Sequence, residues 1–482
     1  MRMRAVRGIV LAALLVLGLG SALRPAAAAA QVATTPSRVA ADRVGPATLL
    51  RGLDLLADYY MEPLDPAALA RAGSAGMLAA LRAQGIAAED EALDAGADRA
   101  SAEQALQQRY EDLLAAYPDV DALALAHAAL SGMVQAVADP HTTYLDPRVV
   151  QAMRAFDASG QRPGTGAIVA GPHWTVLDVY AGSPAAAAGL RVGDRLETIN
   201  GRPLPALPDS AVREVSCKLG DRGLVRLRRV GSGAEEDVDL ACAALDVPFV
   251  EARAIGDVGY VRVRSFKRST VADEMEQAIR GLQGQGVRGI VLDLRNNSGG
   301  LMEQWLRVLR LMAADGPVYR MVDRSGQEVT RTLCQITPRA GLRDGQVAFV
   351  DSPTDPGCTD EPILSVPLAV LVDERSASAA ELLAVNLQER GIGRLFGTRT
   401  LGASAMAMFF SLPDDSALEM SLFRVDSPGG RRLNGVGVEP DETVALRLDE
   451  LEAGLDAPLQ HAIAYLRQGS PRPNSTQRPP QP

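Results

Sequence analysis

Lysine is nearly absent: Lys218 and Lys267 are the only two in 482 residues, and every other fixed side-chain cation is an arginine. Chemistry that needs a lysine amine therefore has two sources at most. Cysteine is scarce as well. The four cysteines, Cys217, Cys242, Cys334 and Cys358, show no zinc-ligand spacing. With 22% charged residues and a mean hydropathy of +0.02, the composition excludes a multi-span membrane protein. The chain also lacks a Walker loop, a dinucleotide fingerprint, an HExxH pair and any repeat of fixed period. It has no basic excess: the net charge is −10, against what a nucleic-acid partner requires. What is there is ordinary globular material, 47% hydrophobic and 22% charged, which argues against wholesale disorder. At ~100–200 residues per domain the length suggests about three domains.

The N-terminus has the pattern of a secretory signal. Arg2, Arg4 and Arg7 precede an apolar run from Ile9 to Leu19, and small residues lead through Ala26 to Ala30. Cleavage is expected near Ala30–Gln31; an uncleaved anchor is the alternative. Export to the periplasm or outside the cell puts the mature chain in an oxidising compartment. Two local disulfides, Cys217–Cys242 and Cys334–Cys358, are the simplest pairing, and two other connectivities stay open. Residues 470–482, rich in Pro, Gln, Ser and Arg, read as a disordered tail.

Between the ends, three segments differ in pattern. Residues 43–157 are Ala- and Leu-rich, with apolar residues at helical spacing in LLRGLDLLADYY and ALALAHAALSGMVQAVA. The acidic, Gly-bearing stretch Ile86–Gln104 between them reads as a loop. Residues 158–248 read as short strands, with a short helix expected around Asp209–Lys218. Residues 249–447 alternate strand and helix, from GYVRVRSF through GIVLDL and PLAVLV to the helix AAELLAVNLQERG. This is the βαβ pattern of an α/β core. A C-terminal helix is expected over 448–469.

The middle segment resembles a PDZ domain. The signature is SPAAAAGLRVGDRLETINGRPL, Ser183 to Leu204, with GTGAIV at Gly164–Val169. The resemblance implies that Gly164, Thr165, Gly166, Ala167 and Ile168 receive the C-terminus of a peptide that adds as a strand. A groove plugged in cis by the neighbouring core is the alternative.

Four further motifs follow in order: VLDLRNNSGGL, VDERSASAAELLA, GTRTLG and SPGGRRLNGVGVEPD. With the upstream DPHTTYLDP and the PDZ signature, the mature chain resembles the carboxyl-terminal processing (tail-specific) serine peptidases. That resemblance implies a crotonase/ClpP-like α/β core with an inserted PDZ domain and an N-terminal helical subdomain. It implies polypeptide substrates, no cofactor and no metal, and it leaves homo-oligomerisation open. It makes Ser378 the nucleophile, with an oxyanion hole from the N–H of Ala379 and that of Gly299 or Gly300. Ser376 becomes a turn residue, and Asp373, Glu374 and Glu381 become helix N-terminal charges and loop contacts.

The pattern breaks at LGASAMAM. The family's general-base lysine falls on Ala403, and its glutamine four residues later falls on Ala407. A serine hydroxyl needs a base. His141 in DPHTTYL is the candidate replacement, because an imidazole works as a base without strong desolvation. Lys267 is a second. His127 reads as a satisfied core or rim histidine, and His173 and His461 have no assigned role. The primary expectation is an exported serine peptidase acting on polypeptide tails. The alternative is a catalytically inactive pseudopeptidase that binds peptides.

Overall fold

A computed structural model describes residues 38–469 except 90, 160, 209–210, 216, 336–338, 344–345 and 351–360. The signal segment 1–30, the tail 470–482 and Cys358 lie outside the described residues. The described residues from Asp42 onward form one compact unit.

Four helices open the described chain: α1 (Arg38–Tyr59), α2 (Pro66–Ala83), α3 (Arg99–Ala116) and α4 (Ala122–Val137). Aspartates start three of them. Asp65 accepts from the Ala67 N–H at 3.0 Å, Asp98 from Ser101 at 3.0 Å and Asp121 from Ala124 at 2.9 Å. Each satisfies an amide that the helix leaves without a partner. The cap at Asp98 corrects the loop expected over Ile86–Gln104: a helix begins at Arg99, inside that stretch. Arg99 secures it by pairing with Asp54 and Asp58 of α1 and, at 2.7 Å, with Glu103. Helices α2 and α4 cross closely because glycines face each other. A Cβ on Gly76 would lie 2.3 Å from the Ala128 carbonyl oxygen, and one on Gly132 would lie 2.4 Å from that of Ala72.

The chain then passes through β1 (Thr143–Leu145), α5 (Pro147–Ser159) and β2 (Gln161–Gly164) into a seven-stranded antiparallel sheet. Its strands are β3 (Ala167–Ala170), β4 (Thr175–Val179), β5 (Arg195–Ile199), β6 (Arg202–Pro203), β7 (Val212–Glu214), β8 (Arg222–Arg228) and β9 (Glu235–Ala241), with the short helix α6 (Pro184–Ala187) between β4 and β5. The order is β7-β3-β4-β5-β8-β9, with β6 beside β5. Its own small core includes Val169, Val176, Leu190, Leu196, Val225 and Leu227. The helix expected at Asp209–Lys218 is not formed in the described residues. Val212–Glu214 is instead a strand on the edge of β3. The β-branched Val212 and Val215 suit a strand, and the unpaired edge of β3 offers them partners that an isolated helix lacks.

Strand β10 (Ala243–Asp246) pairs with β2 and leads into the α/β core. The core contains β11 (Val250–Ile255), β12 (Val258–Val263), α7 (Val271–Gly284), β13 (Ile290–Asp293), α8 (Met302–Arg310), β14 (Pro317–Val322), β15 (Glu328–Thr332), the hairpin β16 (Arg339–Arg343) and β17 (Gln346–Val350), β18 (Leu368–Val372), α9 (Ala379–Glu389), β19 (Gly393–Gly397), β20 (Ala405–Ser411), β21 (Ala417–Asp426) and β22 (Glu442–Thr443). The central sheet runs β11-β12-β13-β18-β19-β22 and is parallel except at β11. Its strands β13 and β18 are buried throughout, as continuous apolar runs with helices on both faces require. Helices α10 (Leu448–Glu452) and α11 (Ala457–Arg467) replace the single helix expected over 448–469. Ala462 and Leu466 of α11 cover the far face of the sheet, against Tyr260, Leu371 and Phe396. A second sheet, β1-β21-β14-β15 with β20 on β21, joins the helical segment to the core through β1.

The disulfide Cys217–Cys242 is formed. Cys334 is also disulfide-bonded; the expected partner, Cys358, lies outside the described residues. PDZ and core are joined by charge. Asp178 of β4 accepts from Arg264 at 2.8 Å and lies 3.4 Å from Arg262, and both arginines belong to the core.

Candidate active site

Three loops at the C-terminal ends of the parallel strands converge on Ser378. It sits where β18 passes into α9, at φ 55° and ψ −120°. Positive φ is costly for a residue with a Cβ, so the surroundings must impose this backbone. Part of the cause is a reciprocal cap. The Ser378 hydroxyl accepts from the Glu381 N–H, and the Ser378 N–H donates to Glu381 Oε2 at 3.0 Å. Ser376 is a turn residue: its hydroxyl donates to the Leu294 carbonyl at 2.8 Å and accepts from the Asp373 N–H at 2.9 Å.

The glycine loop presses on Ser378 from the end of β13. A Cβ on Gly299 would lie 2.7 Å from that of Ser378 and 2.9 Å from the Ala379 nitrogen, so position 299 admits glycine alone. The two glycines expected to share one role are separated here. The Gly299 N–H donates to Asn297 Oδ1 at 2.9 Å, while Asn297 Nδ2 is held on the Val263 carbonyl at 2.8 Å. Among the described residues no bond engages the N–H of Gly300 or of Ala379. In the two loops that meet at Ser378, it is therefore the Gly299 N–H that is engaged, by Asn297.

The third loop is tied down by Glu381, which is fully buried. Besides Ser378, its carboxylate accepts from Thr400 Oγ1 at 2.5 Å, Gly402 N at 2.8 Å, Ala403 N at 2.9 Å and Ser404 Oγ at 3.1 Å. The sequence signal for the cap is S-x-x-E, Ser378 to Glu381. Nothing local foretells the long-range half of this hub.

Ala403 is buried and presents a methyl group where the resembled peptidases carry an amine. Its carbonyl oxygen lies 2.8 Å from His141 Nε2. A carbonyl only accepts, so Nε2 carries the proton and is not a proton acceptor in this arrangement. The turn bearing His141 is braced by Asp139, which accepts from Thr142 Oγ1 and Ser421 Oγ, both at 2.6 Å. Lys267 is exposed. Burial raises the carboxyl of Glu419 on β21, and His141 and Lys267 draw it part of the way back, so these three groups share one neighbourhood. Ala407 lies in β20, opposite Ser421. His127 is paired with Asp414 at 2.5 Å and packs on the Tyr144 ring.

In the PDZ segment, four of the five positions expected to receive a peptide meet the chain's own β7 or the Val215 that follows it; Gly166 meets Ser183 and Tyr180 instead. Ile168 pairs with Glu214. The Ala167 carbonyl accepts from the Val215 N–H at 3.0 Å, and Thr165 Oγ1 donates to the Val215 carbonyl at 3.3 Å. Gly164 lies beneath the Glu214 carboxylate, and Gly166 turns at φ 80°.

Comparison with known proteins agrees with this layout. Residues 257–444 match the sequence model of Peptidase family S41, and residues 175–219 match that of the PDZ domain. The chain is 28% identical over 366 residues to carboxyl-terminal-processing peptidase 3, chloroplastic, of Arabidopsis thaliana, covering 72% of this chain and 65% of that protein. It is 28% identical over 342 residues to the carboxy-terminal-processing protease of Bartonella bacilliformis, covering 70% of this chain and 73% of that one. Among solved structures, the photosystem II D1 C-terminal processing protease matches with a TM-score of 0.47 at 22% identity, over 86% of this chain and 98% of that one. By these sequence matches the chain resembles the carboxyl-terminal processing serine peptidases and carries a PDZ domain.

Proposed function

We propose that this chain is an exported protein that holds the C-terminal regions of polypeptides in a peptidase frame without cutting them. One observation carries this reading: among the described residues no base is hydrogen-bonded to the Ser378 hydroxyl. A serine hydroxyl attacks a carbonyl only when a neighbouring group removes its proton. At position 403 there is a buried methyl group, and His141 spends its Nε2 proton on the Ala403 carbonyl. The Ser378 hydroxyl serves as a helix cap. Among the described residues no amine or imidazole nitrogen is bonded to it.

The binding surfaces remain. Leu301 of the glycine loop, Leu401 of the loop that Glu381 ties down, and Val436 of the segment bonded to Gly402 are each about half exposed and suit apolar side chains of an extended chain. The PDZ segment supplies a second, separate place for a tail once β7 leaves the edge of β3. The names of the relatives, all built on carboxyl-terminal processing, support polypeptide tails as the ligand class. The signal-like N-terminus and the Cys217–Cys242 disulfide support export to an oxidising compartment.

Incubation with an unfolded protein ending in apolar residues tests the reading. The wild-type chain is expected to bind it and leave it intact, and a serine-reactive phosphonate is expected not to label Ser378. The double change Ala403→Lys and Ala407→Gln is expected to create cleavage that Ser378→Ala then removes. Cleavage by the wild-type chain that Ser378→Ala abolishes would overturn the binding reading. The protein would then be a peptidase with an unrecognised base, an outcome that the strained φ of Ser378 favours.

A further inference from the structure

A peptide entering a PDZ-type groove adds antiparallel to a sheet edge. Its main chain bonds to the edge strand, its last side chain fills an apolar pocket, and its carboxylate is received by the loop before that strand. In this protein the chain makes those contacts itself. β7 runs antiparallel along β3, pairing Ile168 with Glu214, Val169 with Arg213 and Ala170 with Val212. Val215 stands where the last residue of a tail would stand. Its N–H donates to the Ala167 carbonyl, and its own carbonyl accepts from Thr165 Oγ1 in the receiving loop. Its side chain is 4% exposed and lies in the PDZ core with Ala167, Val169 and Leu190. The Glu214 carboxylate covers Gly164, where a Cβ would come within 2.3 Å of Oε1.

A second feature explains what keeps this occupant in place. Cys217, two residues past Val215, is disulfide-bonded to Cys242. Cys242 immediately precedes β10, whose first residue, Ala243, pairs with Gly164 at the receiving loop. The cross-link therefore fixes the end of β7 to the strand beside the loop it fills. It favours the closed groove by removing conformations from the open one. β7 itself is only three residues long, the kind of short edge element that opens locally.

We propose that β7 is a built-in occupant of the PDZ groove, held by the Cys217–Cys242 disulfide, and that reduction by a dithiol opens the β3 edge to an apolar C-terminus. One thiolate of the dithiol attacks a disulfide sulfur and breaks the S–S bond. The second thiol resolves the mixed disulfide. Cys217 and Cys242 leave as thiols, and the reductant supplies two electrons and two protons and ends as its own disulfide. The inference rests on the tail-binding reading above, and the experiment separates the two.

Fluorescence anisotropy of a labelled peptide ending in Ser-Val-Ala-Val, with a free carboxylate, is measured against the full chain. Three forms are compared: the oxidised wild type, the Cys217→Ser/Cys242→Ser double variant and Arg213→Pro. The register and the flanking bonds at 215 and 211 make Val169 and Arg213 a hydrogen-bonded pair. Proline at 213 therefore removes one bond of the plug and leaves the disulfide intact. The expected result is a Kd about tenfold lower or more for both variants than for the oxidised wild type, as when an excluded binding state becomes populated. The amidated peptide should show no such gain. Should the double-serine variant unfold by circular dichroism, Arg213→Pro carries the same comparison. Equal affinity in all folded forms overturns the gate and leaves tail capture standing. Absence of binding in every form overturns tail capture, and the gate with it.

Discussion

At Ser378 a non-glycine residue sits at φ 55°, within the Glu381 cap and so close to Gly299 that a Cβ there would clash. Backbone strain of this kind costs on the order of 1–3 kcal/mol, and an N-cap serine replaced by glycine loses only a few tenths. Ser378→Gly is therefore expected to raise stability by about 1 kcal/mol, read from the shift of the urea unfolding midpoint. No gain would mean that the strain is not stored at this residue. The sequence made Ser378 legible, because SASAAE stands between a buried strand and a helix. It could not separate Gly299 from Gly300, because that distinction depends on where the Asn297 amide points. Nor could it show that His141 spends its Nε2 proton on a carbonyl 262 residues away.

Among the elements, the long periodic helices and the apolar strands of the core follow directly from spacing and composition. Their packing adds a demand that spacing alone does not state. Gly76 and Gly132 let α2 and α4 approach until a single Cβ would strike a carbonyl oxygen at 2.3 Å. Gly76→Ala is expected to destabilise the helical segment by roughly 1–3 kcal/mol through overpacking, despite the better helix propensity of alanine. Thermal unfolding followed by circular dichroism checks the sign, and a raised Tm would refute the close-crossing account. Two elements were misread from sequence for opposite reasons. α3 begins inside an acidic stretch because Asp98 caps it and Arg99 finds Asp54 and Asp58. Val212–Glu214 is a strand because the edge of β3 is there to receive it.

Across the whole molecule, the PDZ is docked on the core through Asp178, Arg262 and Arg264, with both members of the closest pair nearly buried. Burial alone would raise the Asp178 carboxyl, but the two guanidiniums outweigh it and hold the group below its ordinary value. A depressed carboxyl stabilises docking fully above its undocked value and loses that contribution as the pH falls through the docked value. Docking is thus expected to be unchanged above about pH 5 and to loosen below about pH 4, near and under the ordinary aspartate range. Arg264→Ala should loosen it at neutral pH as well, since removing one partner leaves a buried charge uncompensated at a cost of about 3 kcal/mol. Small-angle X-ray scattering reads both as a larger maximum dimension. Identical profiles for Arg264→Ala and wild type at pH 7 would show that the ion pair does not hold the PDZ.

The sequence by itself determined the order of the segments, the strand-helix alternation of the core, the motifs around Ser378 and the methyl group at position 403. These depend on residue type and local spacing, which the chain carries without folding. Tertiary structure alone decided three things. Glu381 binds the cap of α9 to the 400–404 loop, Asn297 takes the N–H of Gly299 rather than that of Gly300, and Val215 occupies the groove of its own PDZ. Each is a contact between segments far apart in sequence or a choice of hydrogen-bond partner. Such choices are settled only when burial forces every polar group to find one.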